Sequence, residues 1–307
     1  MISKGIFPTM VTPFNGNGNI DYGALLKFIE KLESDGADGL FAVCQSSEMF
    51  NLTLDEKFRL ASFVRENSKL QVITSGHTQK DPKKQIEAMK KIASSGVDAV
   101  VLISNAFAAE DEDDDVFIKR LEYFLINFKE EIPLGIYECP YPYKRLVTDK
   151  TLEYILSTKR FVFLKDTSCD VATMASRLSI IGDSPFGLYN ANIETLAETM
   201  RHGAAGFSGI HANVSTKLVR CLLDFPPAGS AIGNKAQVIA EEFAEYLRHS
   251  FYPVSVKAML MELGIFNSIS TRVLDHNLIS DSIISKGSEL LQRIKVIENE
   301  YDKESKM

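Results

Sequence analysis

Gly96-Val97-Asp98-Ala99-Val100-Val101-Leu102-Ile103-Ser104 is the stretch on which the fold turns. A glycine suited to the left-handed position that ends a helix is followed almost at once by a β-branched and aliphatic run, the signature of a strand buried on both faces. The phrase returns as Gly36-Ala37-Asp38-Gly39-Leu40 and as Gly203-Ala204-Ala205-Gly206-Phe207. Helix end, short turn and buried strand in succession make a parallel sheet with crossover helices.

Eight such strand runs are expected, at 6–12, 39–43, 71–75, 99–104, 134–139, 162–166, 187–190 and 206–210. The intervening segments carry helix punctuation. Asp21 reads as an N-cap for a face of Leu25, Phe28, Ile29 and Leu32, Thr53 and Glu56 have capping-box spacing, and Asp81-Pro82 reads as N-cap and N1. The expected fold is α/β, a (β/α)8 TIM barrel over residues 1–225. A doubly wound open sheet is the rival, but no glycine-rich nucleotide loop follows the first strand. After Pro226 strand signals stop, and helical stretches at 234–249, 254–263 and 283–300 form a C-terminal helical segment, 226–307, expected to pack on the barrel as one structural unit. Residues 301–307 are polar and expected to fray.

The composition, 307 residues with 45% hydrophobic and 24% charged, is that of a globular chain with a large core. A net charge of -7 argues against nucleic acid or a membrane surface as partner. No apolar stretch reaches the ~18 to 20 residues of a membrane span, and residues 1–7 are too few for a signal peptide, so a cytoplasmic location is expected. Cys44, Cys139, Cys169 and Cys221 lie far apart, in no metal-binding spacing, and read as reduced thiols.

In such a barrel the active site forms at the C-terminal ends of the strands. Lys165 closes the apolar run Phe161-Val162-Phe163-Leu164, where its amine either enters the barrel mouth or pairs with a carboxylate such as Asp166. Tyr137 holds the matching place one strand earlier, in Gly135-Ile136-Tyr137-Glu138-Cys139-Pro140. Adjacent strands run ~4.8 Å apart, so the phenol can reach the amine, although Tyr137 by itself would read as a core aromatic. After the second strand, Gln45-Ser46-Ser47-Glu48 offers hydroxyls and turn N–H groups able to grip a carboxylate; alone it would be an ordinary polar loop. His77 and His211 both follow strands. His211 is the better substrate contact because Gly209 leaves room beside it, and Asn192 and Ser208 stand at the neighbouring strand ends. The acidic run 110–115 reads as a solvated helix start favoured by the macrodipole, and no metal is expected.

Together these motifs resemble the dihydrodipicolinate synthase and N-acetylneuraminate lyase family of Schiff-base class I aldolases. The resemblance covers about residues 5–265. The family's Gly-Thr-Thr-Gly-Glu type motif corresponds to Cys44-Gln45-Ser46-Ser47-Glu48, its Tyr-Asn-x-Pro motif to Tyr137-Glu138-Cys139-Pro140, and its lysine context to Lys165-Asp166-Thr167-Ser168. Pro8-Thr9-Met10-Val11-Thr12-Pro13-Phe14 and Pro253-Val254-Ser255-Val256-Lys257 are similar to family segments as well. The resemblance implies Lys165 as Schiff-base nucleophile, Tyr137 as proton-transfer group, substrate held by Gln45, Ser46 and Ser47, no cofactor beyond the covalent lysine adduct, a small 2-keto acid such as pyruvate as partner, and a homotetramer.

Two departures bear on the substrate. Where the synthase carries a relay tyrosine after its fourth strand this chain has Phe107, and where it carries a carboxylate-binding arginine after the motif proline this chain has Pro142, with Lys144 and Arg145 nearby. The expected activity is therefore cleavage or condensation of a 2-keto-3-deoxy sugar acid or sialic-acid-like substrate, with poor dihydrodipicolinate synthesis. The alternatives are a dehydratase of the same substrates, using the same iminium, and a non-catalytic keto-acid-binding barrel. A pure binder has no use for a lysine and tyrosine so paired.

Overall fold

A computed structural model describes residues 2–306. Its first half runs β1 (Gly5–Ile6), α1 (Tyr22–Ser34), β2 (Gly39–Phe41), α2 (Leu54–Asn67), β3 (Gln71–Thr74), α3 (Pro82–Ala93), β4 (Ala99–Ile103) and α4 (Asp114–Asn127). Then follow β5 (Leu134–Tyr137), α5 (Asp149–Ser157), β6 (Phe161–Asp166), α6 (Val171–Ile181), β7 (Gly187–Asn190), α7 (Leu196–Arg201), β8 (Gly206–Phe207) and α8 (Thr216–Asp224). The eight strands are parallel in the order β1-β8-β7-β6-β5-β4-β3-β2, and a bridge between Thr9 and Phe41 closes β1 on β2. This is the expected barrel.

Local sequence accounts for the helices. Asp21, Thr53 and Asp81 cap α1, α2 and α3 as expected, and the α2 cap is reciprocal with Glu56. Gly36, Gly96 and Gly203 have φ of +89°, +82° and +96°, the left-handed turns that free the chain to enter β2, β4 and β8. In the acidic run, Asp113 caps α4, while Glu112, Asp114 and Asp115 pair with Arg120, Arg145 and Lys150.

The first and last strands are shorter than the runs 6–12 and 206–210. Pro8 has no N–H to give, so beyond Ile6 the chain pairs only intermittently, through Phe7 N–H to Phe207 O, Phe41 N–H to Pro8 O and Met10 N–H to Phe41 O. Inside the barrel Phe7, Phe41, Phe163 and Tyr189 interlock, with the Phe163 and Tyr189 rings stacked at 4.4 Å, and give the mouth a solid floor. Gly39 makes room for this, since a Cβ there would stand 2.0 Å from the Phe7 ring.

The C-terminal segment forms α9 (Ala231–Arg248), α10 (Val254–Glu262) and α11 (Asp281–Glu304). They pack on one another, and α9 and α11 pack on α8. The expected fraying from 301 is corrected: α11 continues to Glu304, because Tyr301 packs on Phe225 and its hydroxyl bonds Asp224 at 2.8 Å. Residue 307 lies outside the described residues. Among those described, no helix is long and apolar enough to cross a membrane.

Candidate active site

Tyr137 and Lys165 are register partners at the ends of β5 and β6. Both side chains are buried, and the Lys165 Nζ lies over the Tyr137 ring, 4.4 Å from its centroid. Asp166, the carboxylate that would have made Lys165 an ordinary ion-pair member, turns to the other side of the sheet and is taken by Arg177. Among the described residues no carboxylate makes an ion pair with Lys165. Burial holds its amine below the usual lysine range, with only the thiols of Cys44, Cys139 and Cys169 acting against the shift. Burial also pushes the Tyr137 phenol well above its ordinary value, so at rest it is a proton donor.

These groups open on a cavity of about 440 Å³. Of the residues singled out in the sequence, Gln45, Ser46, Asn192 and His211 line it with Tyr137 and Lys165. Ser46 reaches Thr9 Oγ1 at 3.4 Å, and Gln45 spans to the β5 side by accepting the Cys139 thiol at 3.4 Å. Gln45 and Ser46 have N–H groups without a backbone partner among the described residues. His211 is buried, neither ring nitrogen has a partner among the described residues, and its ring stands edge-on to Phe243 at 5.0 Å. Burial, aided by Arg248, lowers it to about 3, so the ring is neutral.

Two expected residues stand elsewhere. Ser47 is behind the wall, its hydroxyl sharing its one proton between Met10 O at 2.7 Å and Ala42 O at 2.9 Å and accepting from Cys44 N at 3.1 Å. This hydroxyl braces the turn. Ser208 does not line the cavity; its hydroxyl is buried, with no partner among the described residues. His77 accepts the Ile103 N–H at 2.8 Å, a structural bond.

The departures also have definite places. Phe107 is buried on Phe117 and Phe124, and Pro142 is exposed. Arg145 donates to Ala109 O at 3.0 Å and pairs with Asp114, and Lys144 donates to Thr167 O at 2.9 Å. Neither lines the cavity.

The structure adds two residues that strand-end reasoning missed, both from the C-terminal segment. Tyr252, in the turn before α10, lines the cavity with a buried hydroxyl that has Ser46 beside it and no other partner among the described residues. Arg248, at the end of α9, stands at the rim, held by Glu194 and Glu245 at 2.7 Å each. The one sequence signal near Tyr252 was the family-like segment that begins at Pro253.

A desolvated lysine and a tyrosine on adjacent strand ends, in the mouth of a (β/α)8 barrel, are an arrangement suited to Schiff-base chemistry. A profile of the dihydrodipicolinate synthetase family matches residues 2–273, and the chain belongs to that family, whose members are lyases. The 4-hydroxy-tetrahydrodipicolinate synthase of Staphylococcus haemolyticus is 25% identical over 265 residues, 86% of this chain and 88% of its own. That of Haloarcula marismortui is 24% identical over 281 residues, 89% of this chain and 90% of its own. Among solved structures, dihydrodipicolinate synthase DapA-2 of Bacillus anthracis superposes with a TM-score of 0.85 at 22% identity, covering 95% of this chain and 99% of its own. YagE, a prophage protein of the same family from E. coli K12 solved with pyruvate, gives 0.83 at 20%, covering 96% and 99%.

Proposed function

We propose that the protein is a Schiff-base lyase or aldolase that cleaves or condenses a pyruvate-derived 2-keto acid, of the 2-keto-3-deoxy sugar acid or sialic-acid type. The observation that carries this reading is the Lys165 amine, desolvated, unpaired and set over a phenol in an open cavity. The neutral amine attacks the ketone carbon and passes one of its two protons to the oxygen; Tyr137 gives the second, the oxygen leaves as water, and an iminium with one N–H remains. Cleavage of the C3–C4 bond sends its electron pair into the iminium as an enamine. The C4 hydroxyl proton passes to the Tyr137 phenolate. Protonation at C3 and hydrolysis then release pyruvate and restore the amine.

The Ser46 hydroxyl and the free N–H groups of Gln45 and Ser46 receive the substrate carboxylate. Further out, Asn192, His211 and Tyr252 present polar atoms to the substrate's hydroxyls, with Ser208 in support behind them. Unpartnered buried polar groups are destabilising unless a ligand satisfies them, which favours a hydroxylated substrate.

Efficient dihydrodipicolinate synthesis is not proposed, although the relatives bear that name. Phe107 has no phenol to relay a proton, and Arg145 is held by Asp114 away from the cavity. Arg248 is the cation at the rim, and it is already shared by two glutamates. The working form is a cytoplasmic homotetramer, on the family resemblance; a monomer at micromolar concentration in light scattering would remove that part.

Pyruvate and borohydride, followed by peptide mapping, test the chemistry: a stable adduct on Lys165 is expected, and none with any 2-keto acid would leave only a binding protein. The substrate is tested by comparing kcat/KM for pyruvate plus aspartate semialdehyde with a panel of 2-keto-3-deoxy sugar acids and N-acetylneuraminate. A semialdehyde rate at the ~10⁴ M⁻¹s⁻¹ of ordinary enzymes, with the panel inert, would reverse the assignment.

A further inference from the structure

Each reacting residue is followed directly by a buried carboxylate: Glu138 after Tyr137, Asp166 after Lys165. Side chains alternate across a strand, so while the amine and phenol face the cavity, the two carboxylates face the helix layer. There Arg177, the sole charged residue of α6, meets both. Its Nη2 stands 2.7 Å from Glu138 Oε1 and its Nη1 bonds Asp166 Oδ2, with all three side chains at most 2% exposed. Glu138 also takes the Val147 and Thr167 N–H groups at 2.7 Å each, and Asp166 takes the Ser168 N–H at 2.8 Å.

The β5 to β6 ladder is in register through Tyr137 and Lys165, and the backbone link just beyond them, Glu138 N–H to Lys165 O, is long at 3.3 Å. Past that link an arginine fork gripping two carboxylates fixes the spacing of the strand ends. Apolar residues of similar volume often fill such a space with equal stability, so a buried cation set between two carboxyl groups points to a role besides stability.

We infer that Arg177 is a positioning residue for the Schiff-base reaction: one guanidinium on the outer face of the sheet sets the spacing of the strand ends whose inner faces carry Lys165 and Tyr137. This rests on the Schiff-base reading above. The arginine touches no substrate and acts through the two carboxylates.

The test is exchange of the pyruvate methyl protons in D2O, followed by NMR, which requires the Lys165 iminium and proton transfer but no second substrate. Arg177→Lys keeps the charge and loses the fork. It should still be trapped fully by pyruvate and borohydride, yet exchange about 10- to 100-fold more slowly, the penalty of a small misplacement, with half-saturating pyruvate changed less than about threefold. Glu138→Gln, which frees one side of the fork, should fall in between, at about 3- to 10-fold. An arginine that only stabilised the fold would lower the urea midpoint of unfolding without slowing exchange per folded molecule. Wild-type-like exchange in folded Arg177→Lys overturns the inference, and should that variant not fold, unchanged exchange in Glu138→Gln does the same. A wild-type protein that neither traps nor exchanges pyruvate overturns the Schiff-base reading itself, and the inference with it.

Discussion

The two walls of the cavity are built on opposite plans. On the β5 and β6 side the polar groups behind the reacting pair are all engaged: Glu138, Asp166 and Arg177 satisfy one another and the adjoining loop N–H groups. On the β7 and β8 side both His211 nitrogens, and behind them Ser208 Oγ, have no partner among the described residues, and in the turn before α10 the Tyr252 hydroxyl has only Ser46 beside it. On the function proposed above, one wall is finished before substrate arrives and the other is completed by it. The difference separates chemistry, which needs fixed geometry, from specificity, which needs atoms left to be satisfied.

Substitutions that respect or violate this division should sort accordingly. The largest effect is expected for Lys165→Ala, which should abolish both adduct and turnover with the fold retained; wild-type turnover would remove Lys165 from the mechanism. Tyr137→Phe should keep much of the adduct and lose turnover by ~100-fold or more, and a loss below about tenfold would place proton transfer elsewhere. On the open wall, Tyr252→Phe and His211→Asn should each lower kcat/KM for a hydroxylated substrate by about tenfold, the worth of one hydrogen bond, while pyruvate methyl exchange stays within about twofold. Equal damage to pyruvate exchange would break the division between the walls.

The smallest effect concerns stability. Burial lowers the Lys165 pKa in the folded protein, so between that value and the ordinary ~10.4 the unfolded chain carries a proton that the folded one lacks. Stability from this residue is therefore least below the folded pKa and rises with pH until the unfolded value is passed. Lys165→Met should raise the urea midpoint at pH 7 relative to wild type, with the gap narrowing by pH 10. A variant less stable than wild type at pH 7 would mean that the amine has a charged partner.

Much of this was legible in the residues. The glycine-punctuated repeat gave the barrel, and the strand-end rule picked out Lys165 and Tyr137, because a charged or phenolic group at the end of an apolar run has few places to go. What escaped came from long-range packing. Nothing in the neighbourhood of Tyr252 or Arg248 says that α9 and α10 bring them over the mouth. Asp166 was read as a possible partner of Lys165, but alternation along the strand sends it to Arg177 instead. A lone arginine in the otherwise uncharged α6 is the clue that a buried carboxylate awaited it. Ser47 shows the reverse error, a hydroxyl assigned to substrate that the backbone turn had already claimed.

The buried Glu48 ends the turn of Gln45 and Ser46, and its ion-pair partner, Lys257, follows it by 209 residues at 2.5 Å. During synthesis, then, the turn of Gln45 and Ser46 is made early, and its acid waits 209 residues for its lysine. A buried carboxylate without its cation is strongly disfavoured, so this corner of the mouth stays open until α10 docks. A nascent chain should therefore be unreactive toward cellular keto acids until α10 docks. A ribosome-stalled chain ending at residue 225 should escape borohydride trapping by pyruvate, and a released chain of residues 1–307 should not.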